Sequence, residues 1–372
     1  SNTASSDDAI LVVCRVRPGR DGDALQRCVE VAADGRTVVL AGRPQNKLFT
    51  FDHSLGENAT QEELFESVGK PVTIACLQGY NGTIFCYGQT GAGKTYTLFG
   101  PDAALDSSDA TLVREQRGLV PRVLEFLFST IAQRQWKAGG STTFDCKCSF
   151  YEIFNESVFD LLDDRSAADS LAVREDARGG VYVEGLRLLP VATPEAAGSI
   201  LVRGYRNRHV GETAMNRQSS RSHAVFTLSV VATEQHEDGL TRSRLARFNL
   251  VDLAGSERQR ATHAVGDRLK EASSINKSLS TLGQQVISAL VDKAQGRDRH
   301  VHYRDSKLTF LLRESLGGNS KTAIVAAVSP AAADAAETLS TLKFARRAKE
   351  ITNQAVVNED TRGGVDALRR QV

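Results

Sequence analysis

The run Gly88-Gln89-Thr90-Gly91-Ala92-Gly93-Lys94-Thr95 restricts this chain more than any other stretch of it. It has the spacing G-x-x-x-x-G-K-[ST]. In that pattern glycines let successive backbone N–H groups turn toward a phosphate, the lysine adds a point charge, and the final hydroxyl reaches a magnesium ion. Such a run carries meaning only between a strand and a helix. Thr83 to Cys86 before it is a short apolar run, and Tyr96-Thr97-Leu98 after it is compatible with a helix. A glycine-rich turn matching by chance is the competing explanation, and the strand in front weakens it. The chain therefore reads as a nucleoside triphosphatase with its phosphate loop at the end of a sheet strand.

Around this loop, short β-branched apolar runs alternate with stretches of helical period, the layout of a sheet covered by helices on both faces. Strands are expected at Ile10 to Val16, Thr83 to Cys86, Thr143 to Ile153, Ala224 to Thr233, Arg247 to Leu253 and Thr322 to Val328. Val120, Val123, Leu124, Leu127, Phe128 and Ile131 share one face of a helix over Val120 to Gln133. Thr193-Pro194 supplies the cap and first-turn proline of another. From Ser274 to Asp292 the residues Ile275, Leu279, Leu282, Val286, Ile287 and Leu290 make one apolar stripe, leaving the opposite face of a long helix for a partner. Gly100 to Gly118 lacks any period and reads as an exposed loop. Beyond Ile351 the pattern fades into an extended segment leading out of the domain. A chain of 372 residues fits one large α/β core.

Composition excludes several function classes. With 41% hydrophobic and 24% charged residues the chain is ordinary for a globular protein, and no apolar run approaches the roughly 20 residues that span a bilayer. The polar start Ser1-Asn2-Thr3-Ala4-Ser5-Ser6 has no apolar signal region behind it, so a cytoplasmic place is expected. Cys14, Cys28, Cys76, Cys86, Cys146 and Cys148 are scattered, and their one close pair lacks the two-residue gap of zinc sites, so reduced structural thiols are expected. A net charge of +1 argues against a generally basic nucleic-acid binder. Charge is uneven, however. Between Lys293 and Lys321 seven Lys/Arg residues stand against three acids, either a solvated surface or a face for an acidic partner.

A phosphate loop alone leaves the reaction open. The run Phe248-Asn249-Leu250-Val251-Asp252-Leu253-Ala254-Gly255-Ser256-Glu257 is an apolar strand ending in a carboxylate that can hold magnesium through water, followed by the Gly255 N–H, which can bond a γ-phosphate. Alone, strands ending in D-x-x-G are common; next to a phosphate loop the pairing gains weight. Asn216-Arg217-Gln218-Ser219-Ser220-Arg221-Ser222-His223 is dense in hydroxyls, and is either a solvated loop or one that closes over phosphates and metal.

These three runs, in this order, resemble the kinesin superfamily, with its N-x-x-S-S-R-S-H first switch and D-L-A-G-S-E second switch. The likeness covers nearly the whole chain. Arg15-Val16-Arg17-Pro18 is similar to the family's nucleotide-base motif, and Tyr303-Arg304-Asp305-Ser306-Lys307-Leu308 with Ser315-Leu316-Gly317-Gly318-Asn319 is similar to its tubulin-side and core signatures. The resemblance implies an α/β fold of the P-loop NTPase, kinesin-like motor type, with a central, mostly parallel mixed sheet and helices on both faces. It implies ATP/ADP and Mg2+ as ligands. Gln89, Thr90, Gly91, Ala92, Gly93, Lys94 and Thr95 would surround the phosphates. Arg15, Arg17 and Pro18 would meet the adenine with Tyr96, which otherwise reads as a core-facing helix residue. Thr95, Ser220 and Asp252 would hold magnesium, Ser219 would orient the water or the γ-phosphate, and Gly255 would sense that phosphate. Arg221 and Glu257 would form a salt bridge closing the two switches, Glu257 taking the water's proton through a second water, and Asn276 would brace the closure.

The same resemblance implies microtubules (tubulin) as the partner, met by Arg178, Lys277, Lys293, Arg297, Arg299, Arg304, Lys307 and Arg313. Residues 1–9 would be an N-terminal segment with Ala4 to Asp8 as a short cover strand, 10–350 the motor core, 351–360 a neck linker, and 361–372 the start of a stalk. That layout implies plus-end-directed movement, and a homo-oligomer through a coiled-coil stalk outside this chain. The runs Gly118 to Arg122, Arg304 to Arg313 and Ala355 to Asp360 are most similar to the kinesin-twelve spindle group, implying a cytoskeletal, spindle-associated place. One departure stands out: Leu282-Gly283-Gln284-Gln285-Val286-Ile287 is one residue longer than the family spacing. One extra helical residue turns the rest of the helix by about 100° unless a π-bulge absorbs it, so a bulge or a shifted loop near Lys293 is expected. Two other readings remain, a catalytically silent kinesin-like binding module and a GTPase that is no motor. The intact Lys94, Thr95, Ser220, Arg221, Asp252, Gly255 and Glu257 weigh against silence, and the lack of N-K-x-D against a GTPase.

Overall fold

The computed structural model describes residues 9–20, 27–42, 44–101, 115–163, 170–176, 180–215, 219–236, 239–257 and 277–362. Within them the strands run in chain order as β1 Leu11–Val16, β2 Val29–Val31, β3 Thr37–Leu40, β4 Lys47–Thr50, β5 His53–Leu55, β6 Gly82–Tyr87, β7 Thr142–Phe154, β8 Ser157–Asp160, β9 Val173–Asp176, β10 Gly180–Val183, β11 Leu189–Val191, β12 His223–Gln235, β13 Thr241–Asp252, β14 Lys321–Val328 and β15 Glu359–Arg362. The main sheet has the order β11-β7-β12-β13-β6-β14-β1-β5, with β15 added against β13 and β8 against β7. From β13 through β6, β14 and β1 to β5 every pairing is parallel. From β13 through β12 and β7 to β11 every pairing is antiparallel. The sheet is therefore mixed, and the phosphate loop leaves its parallel half.

All six expected strands are present. The largest boundary difference is at β13, which starts at Thr241 rather than Arg247. Its outer half is polar, so apolar period cannot reveal it; antiparallel pairing with β12, from Ala224↔Asp252 out to Gln235↔Thr241, holds it instead. The β2–β3–β4 sheet and the β9–β10 hairpin are too short and polar to stand out in the sequence.

β6 is buried along its whole length because both faces are covered. On one face Phe85, Tyr87, Val251 and Ile324 pack with Leu282, Ile287, Leu342 and Phe344. On the other, Ile84, Phe226, Leu250 and Val325 pack with Leu64, Val72, Val123, Leu127 and Leu201. The first group of helical residues comes from 277–294 and Ala335–Ala348. The second comes from 61–77, Leu119–Lys137 and Pro194–Met215. Tyr87, the residue before the phosphate loop, stacks on Phe344 with ring centroids 3.7 Å apart. All six cysteines are buried and unpaired, as expected for reduced thiols. No described helix is long and apolar enough to cross a membrane.

The segment after Ile351 does not lead away from the domain. It runs along the sheet and ends as β15, in antiparallel register with β13 from Arg244↔Glu359 to Thr241↔Arg362. Ile10 N–H donates to Ile351 O, and Ala9 bridges Thr352. Asn353 donates to Ser315 O and Ser320 O, while Asn358 donates to Gly79 O and Leu245 O and accepts from Asn319. Asparagines thus satisfy main-chain groups that a helix or a central strand would satisfy internally. Ala4 to Asp8 lies outside the described residues.

The helix over 277–294 carries the expected bulge. Thr281–Val286 is π-helical and Ile287–Ala294 returns to α, with Gln284 and Gln285 exposed and Leu282, Val286 and Ile287 buried. The expected start at Ser274 lies outside the described residues. Because the bulge points to solvent and the apolar stripe is kept, deleting Gln285 should leave one regular helix. Guanidinium unfolding of that variant should give stability equal to the parent or higher by up to about 1 kcal/mol, rather than the ~2–5 kcal/mol loss of a disrupted core.

Candidate active site

The parallel strands β13, β6 and β1 end on one edge of the sheet, at Asp252, Tyr87 and Val16, and β12 starts there at His223 because it runs the other way. Open α/β sheets collect ligand-binding residues at such carboxyl ends. Gly88 has φ 152° and lies so close to β14 that a Cβ would stand 2.1 Å from Ala327 O. Gly91 and Gly93 have φ 77° and 96°, and Gly93 opens the helix Lys94–Phe99. Only glycine fits these turns without strain. Lys94 is buried, and its Nζ donates to Gly88 O and Gln89 O, each at 2.9 Å, which aims its charge into the loop. Burial lowers its pKa, and Asp252 and Glu257 offset this only in part.

Asp252 is the centre of the site and 2% exposed. Its Oδ2 accepts from Thr95 Oγ1 at 2.9 Å and from Arg208 Nη1 at 3.0 Å. Arg208, on the helix Pro194–Met215, also reaches Glu152 Oε1 at 3.4 Å and donates to the Ser222 carbonyl and hydroxyl, both at 3.2 Å. Burial works against its charge, but Asp252 and Glu152 outweigh burial and hold the guanidinium above its ordinary pKa. The other oxygen, Asp252 Oδ1, is buried with no hydrogen-bond partner. An orphaned carboxylate oxygen beside a threonine hydroxyl is an all-oxygen donor set, which suits a hard cation such as magnesium. Sequence reasoning missed Arg208 and Glu152. The signal was there: Ala197, Leu201, Tyr205 and Arg208 fall on one helical stripe, so an arginine occupies a core position.

The two switch runs meet next to this carboxylate. Gly255 N–H donates to Ser220 O at 2.8 Å, and Ser256 N–H to Gly88 O at 3.1 Å. Ser220 lies on the short turn Ser219–Arg221. The Glu257 carboxylate, expected to pair with Arg221 when the switches close, bonds the phosphate loop here. Its Oε2 accepts the Thr90 N–H at 2.8 Å and its Oε1 the Thr90 hydroxyl at 2.5 Å. The acid therefore rests on the third position of the phosphate loop, where exposed main-chain donors attract any anion. Asn276 lies outside the described residues.

His223 has both ring nitrogens engaged. Nδ1 accepts the Ala254 N–H at 3.0 Å, and Nε2 lies 2.9 Å from Ser278 Oγ. Burial, with Arg208 and Lys94 nearby, pushes its pKa down to about 3.

At the expected base-binding edge Arg15 is buried. Its guanidinium donates to Gln61 Oε1 at 2.9 Å and Thr97 Oγ1 at 3.0 Å, and lies 5.4 Å from the Tyr96 ring centroid. Arg15 thus supports Tyr96 from beneath instead of offering its own face to a base, whereas Tyr96 and Pro18 are exposed. Arg17 donates to Pro18 O and Ser329 Oγ, both at 2.9 Å, which fixes the turn beside the loop.

The basic stretch is partly neutralised within the chain. Arg304 and Arg313 both reach Glu175 on β9, at 2.5 Å each, and Arg297 and Arg299 both reach Asp292. These arginines hold the Glu175 and Asp292 carboxyls below their usual range. Lys277 and Lys293 are exposed and Lys307 is half-buried. Arg178 lies outside the described residues.

Residues 15–351 match the model of the kinesin motor domain family. The chain is 52% identical over 375 residues to the kinesin-like protein KIF15 of Strongylocentrotus purpuratus, covering 100% of this chain and 25% of that protein. Against Homo sapiens KIF15 the figures are 51% over 378 residues, 100% and 26%. Against the kinesin-like protein KIN-12F of Oryza sativa subsp. japonica they are 50% over 371 residues, 98% and 13%. The chain spans about a quarter or less of the length of these curated relatives. Among solved structures, a fast kinesin superposes with TM-score 0.85 at 39% identity, 96% of each chain covered. A KIF14 dimer with AMP-PNP in complex with a microtubule superposes at 0.82 and 38%, covering 96% of this chain and 97% of that one.

The buried charges of the site generate two expected outcomes. Arg208→Met strands the Glu152 and Asp252 carboxylates in the interior and should cost about 3–5 kcal/mol in chemical denaturation. His223 titrates in the unfolded chain near 6.5 but in the folded chain at about 3, so the unfolded state takes up its proton first as pH falls. Between those values its contribution lowers stability by about 1.4 kcal/mol per pH unit, and a His223→Asn variant should lack that acid-side slope when unfolding is followed from pH 6.5 to 4.

Proposed function

The chain belongs to the kinesin motor family, and from that premise we propose that it hydrolyses ATP under stimulation by microtubules and moves along them toward the plus end in a spindle-associated role. The observation carrying the catalytic part is the convergence on Asp252 of the phosphate-loop hydroxyl of Thr95 and the Arg208 guanidinium, with the two switches joined beside it by the Gly255 to Ser220 bond. Thr95, Ser220 and Asp252 would hold magnesium, which when bound neutralises charge on the transferring phosphoryl group. Lys94 and the loop N–H groups bind the phosphates, and the Gly255 N–H senses the γ-phosphate. Glu257 leaves Thr90 to pair with Arg221 as the switches close, which places its carboxylate to take a proton from the attacking water through a second water. Closure excludes bulk water, and no covalent intermediate is needed.

The second switch precedes the helix over 277–294 in the sequence, so the state of Gly255 can be passed to the face carrying Lys277 and Lys293. That face, with Lys307 and the arginines held by Glu175 and Asp292, suits the acidic surface of tubulin. Residues 351–360 act as the neck linker, docking along β13 in one state and released in another. In the full-length protein a coiled-coil stalk would pair two such heads.

ATP turnover with and without polymerised tubulin tests the proposal, since turnover indifferent to microtubules would sink the motor reading. Glu257→Ala should lower kcat by about 10²–10⁴-fold with ATP still bound, whereas Lys94→Ala should weaken binding and turnover together. Equal loss of ATP binding in both variants would overturn the assigned roles. Track affinity should fall as salt rises.

A further inference from the structure

His223 closes the first-switch run and begins β12, yet its side chain faces neither phosphate loop nor solvent. The residue is 2% exposed, and its ring bonds two segments. A backbone amide can only donate, so the Ala254 bond at 3.0 Å requires Nδ1 to be unprotonated, and in the neutral ring Nε2–H donates to Ser278 Oγ at 2.9 Å. Ala254 immediately precedes Gly255, whose N–H donates to Ser220 O. Ser278 is itself buried and belongs to the first described turn of the helix over 277–294.

We propose that His223 is a positioning residue that couples the Gly255 segment to the helix over 277–294 through its paired bonds to Ala254 and Ser278. The inference rests on the ATP-driven reading and deepens it by naming side-chain atoms that carry the state of the γ-phosphate sensor to the track-side helix. Both bonds are made by one rigid ring, so neither partner can move by more than a fraction of an ångström without straining the other. The helix is anchored at its far end, where Arg347 bonds Ser288 and Gln295 bonds Glu350. Between the two ends lies the π-helical stretch Thr281–Val286, the part of the helix best able to absorb a change in register. A pull at Ser278 therefore acts against a fixed end across a compliant middle. Burial, with the charges of Arg208 and Lys94, keeps the ring neutral, so the acceptor at Nδ1 persists across the physiological range.

A histidine that merely fills the core would affect stability and nothing else. The discriminating readout is amide hydrogen exchange of residues 279–294, measured without tubulin, in ADP and in a non-hydrolysable ATP analogue. The parent chain should show about a five- to ten-fold nucleotide-linked difference, the worth of one hydrogen bond. Ser278→Ala should reduce that difference to less than about two-fold while ATP turnover without tubulin stays within about two-fold of the parent. Ser278→Thr, which keeps the hydroxyl, should restore it. His223→Asn keeps an acceptor near Nδ1 but cannot reach Ser278, so it should match Ser278→Ala, and the double variant should be no worse than either. The inference is overturned if Ser278→Ala keeps the parental difference, if Ser278→Thr fails to restore it, if the double variant compounds the loss, or if the parent shows no nucleotide-linked difference. Because tubulin is absent, failure of microtubule stimulation would strike the motor proposal and leave this result standing.

Discussion

A carboxylate buried at the end of β13 organises this molecule. Asp252 is shielded from water, and an isolated charge there would be costly by several kcal/mol. It is tolerable because Thr95 and Arg208 reach the same oxygen, and Arg208 in turn is ion-paired with Glu152 and donates to Ser222. Those residues come from the phosphate-loop helix, the helix Pro194–Met215, β7 and the approach to β12. None of the four elements can shift alone without leaving a charge or a donor unsatisfied. The sheet order β7-β12-β13-β6 is what brings them within reach, so core packing and site chemistry constrain each other.

This coupling decides which parts are legible in the sequence. The phosphate loop and the parallel strands carry strong signals because full burial demands continuous apolar runs and close turns demand glycine at Gly88 and Gly93. The π-bulge was also foreseeable, since an added residue between two anchored helix ends has to loop out. Arg208 was hidden because a charge on an apolar stripe looks like an interruption of the pattern, although it marks a buried ion network. The resting place of Glu257 on the phosphate loop was hidden for a different reason. Its residue type fixes its chemistry, but a guanidinium such as that of Arg221 and the donor-rich Thr90 are both partners that a carboxylate can take. Only geometry decides between them.

The segment from Ile351 to Arg362 illustrates a limit of periodicity. Its residues alternate neither with period two nor with period 3.6, because the segment is held by main-chain and asparagine bonds rather than by an apolar face. Asn353 and Asn358 each serve several carbonyls, which is costly in side-chain entropy but requires no buried hydrocarbon. Val356 and Val357 remain exposed even when the segment is docked. The attachment therefore rests on polar bonds, with little hydrophobic burial behind it.

The same economy governs the basic face. Arg304 and Arg313 converge on Glu175, and Arg297 and Arg299 on Asp292, so four arginines share two acids in solvent-exposed positions. A carboxylate with two guanidiniums leaves one positive charge in excess, and each pair holds its arginines in a defined orientation. Exposed ion pairs of this kind are weak because water screens them. An incoming acidic surface can therefore replace the internal carboxylate at small cost while meeting side chains already ordered, whereas exposed lysines such as Lys277 and Lys293 must be ordered on contact. Glu175 also ties the β9–β10 hairpin to the 304–313 region, so two stretches far apart in sequence present their charge as one surface.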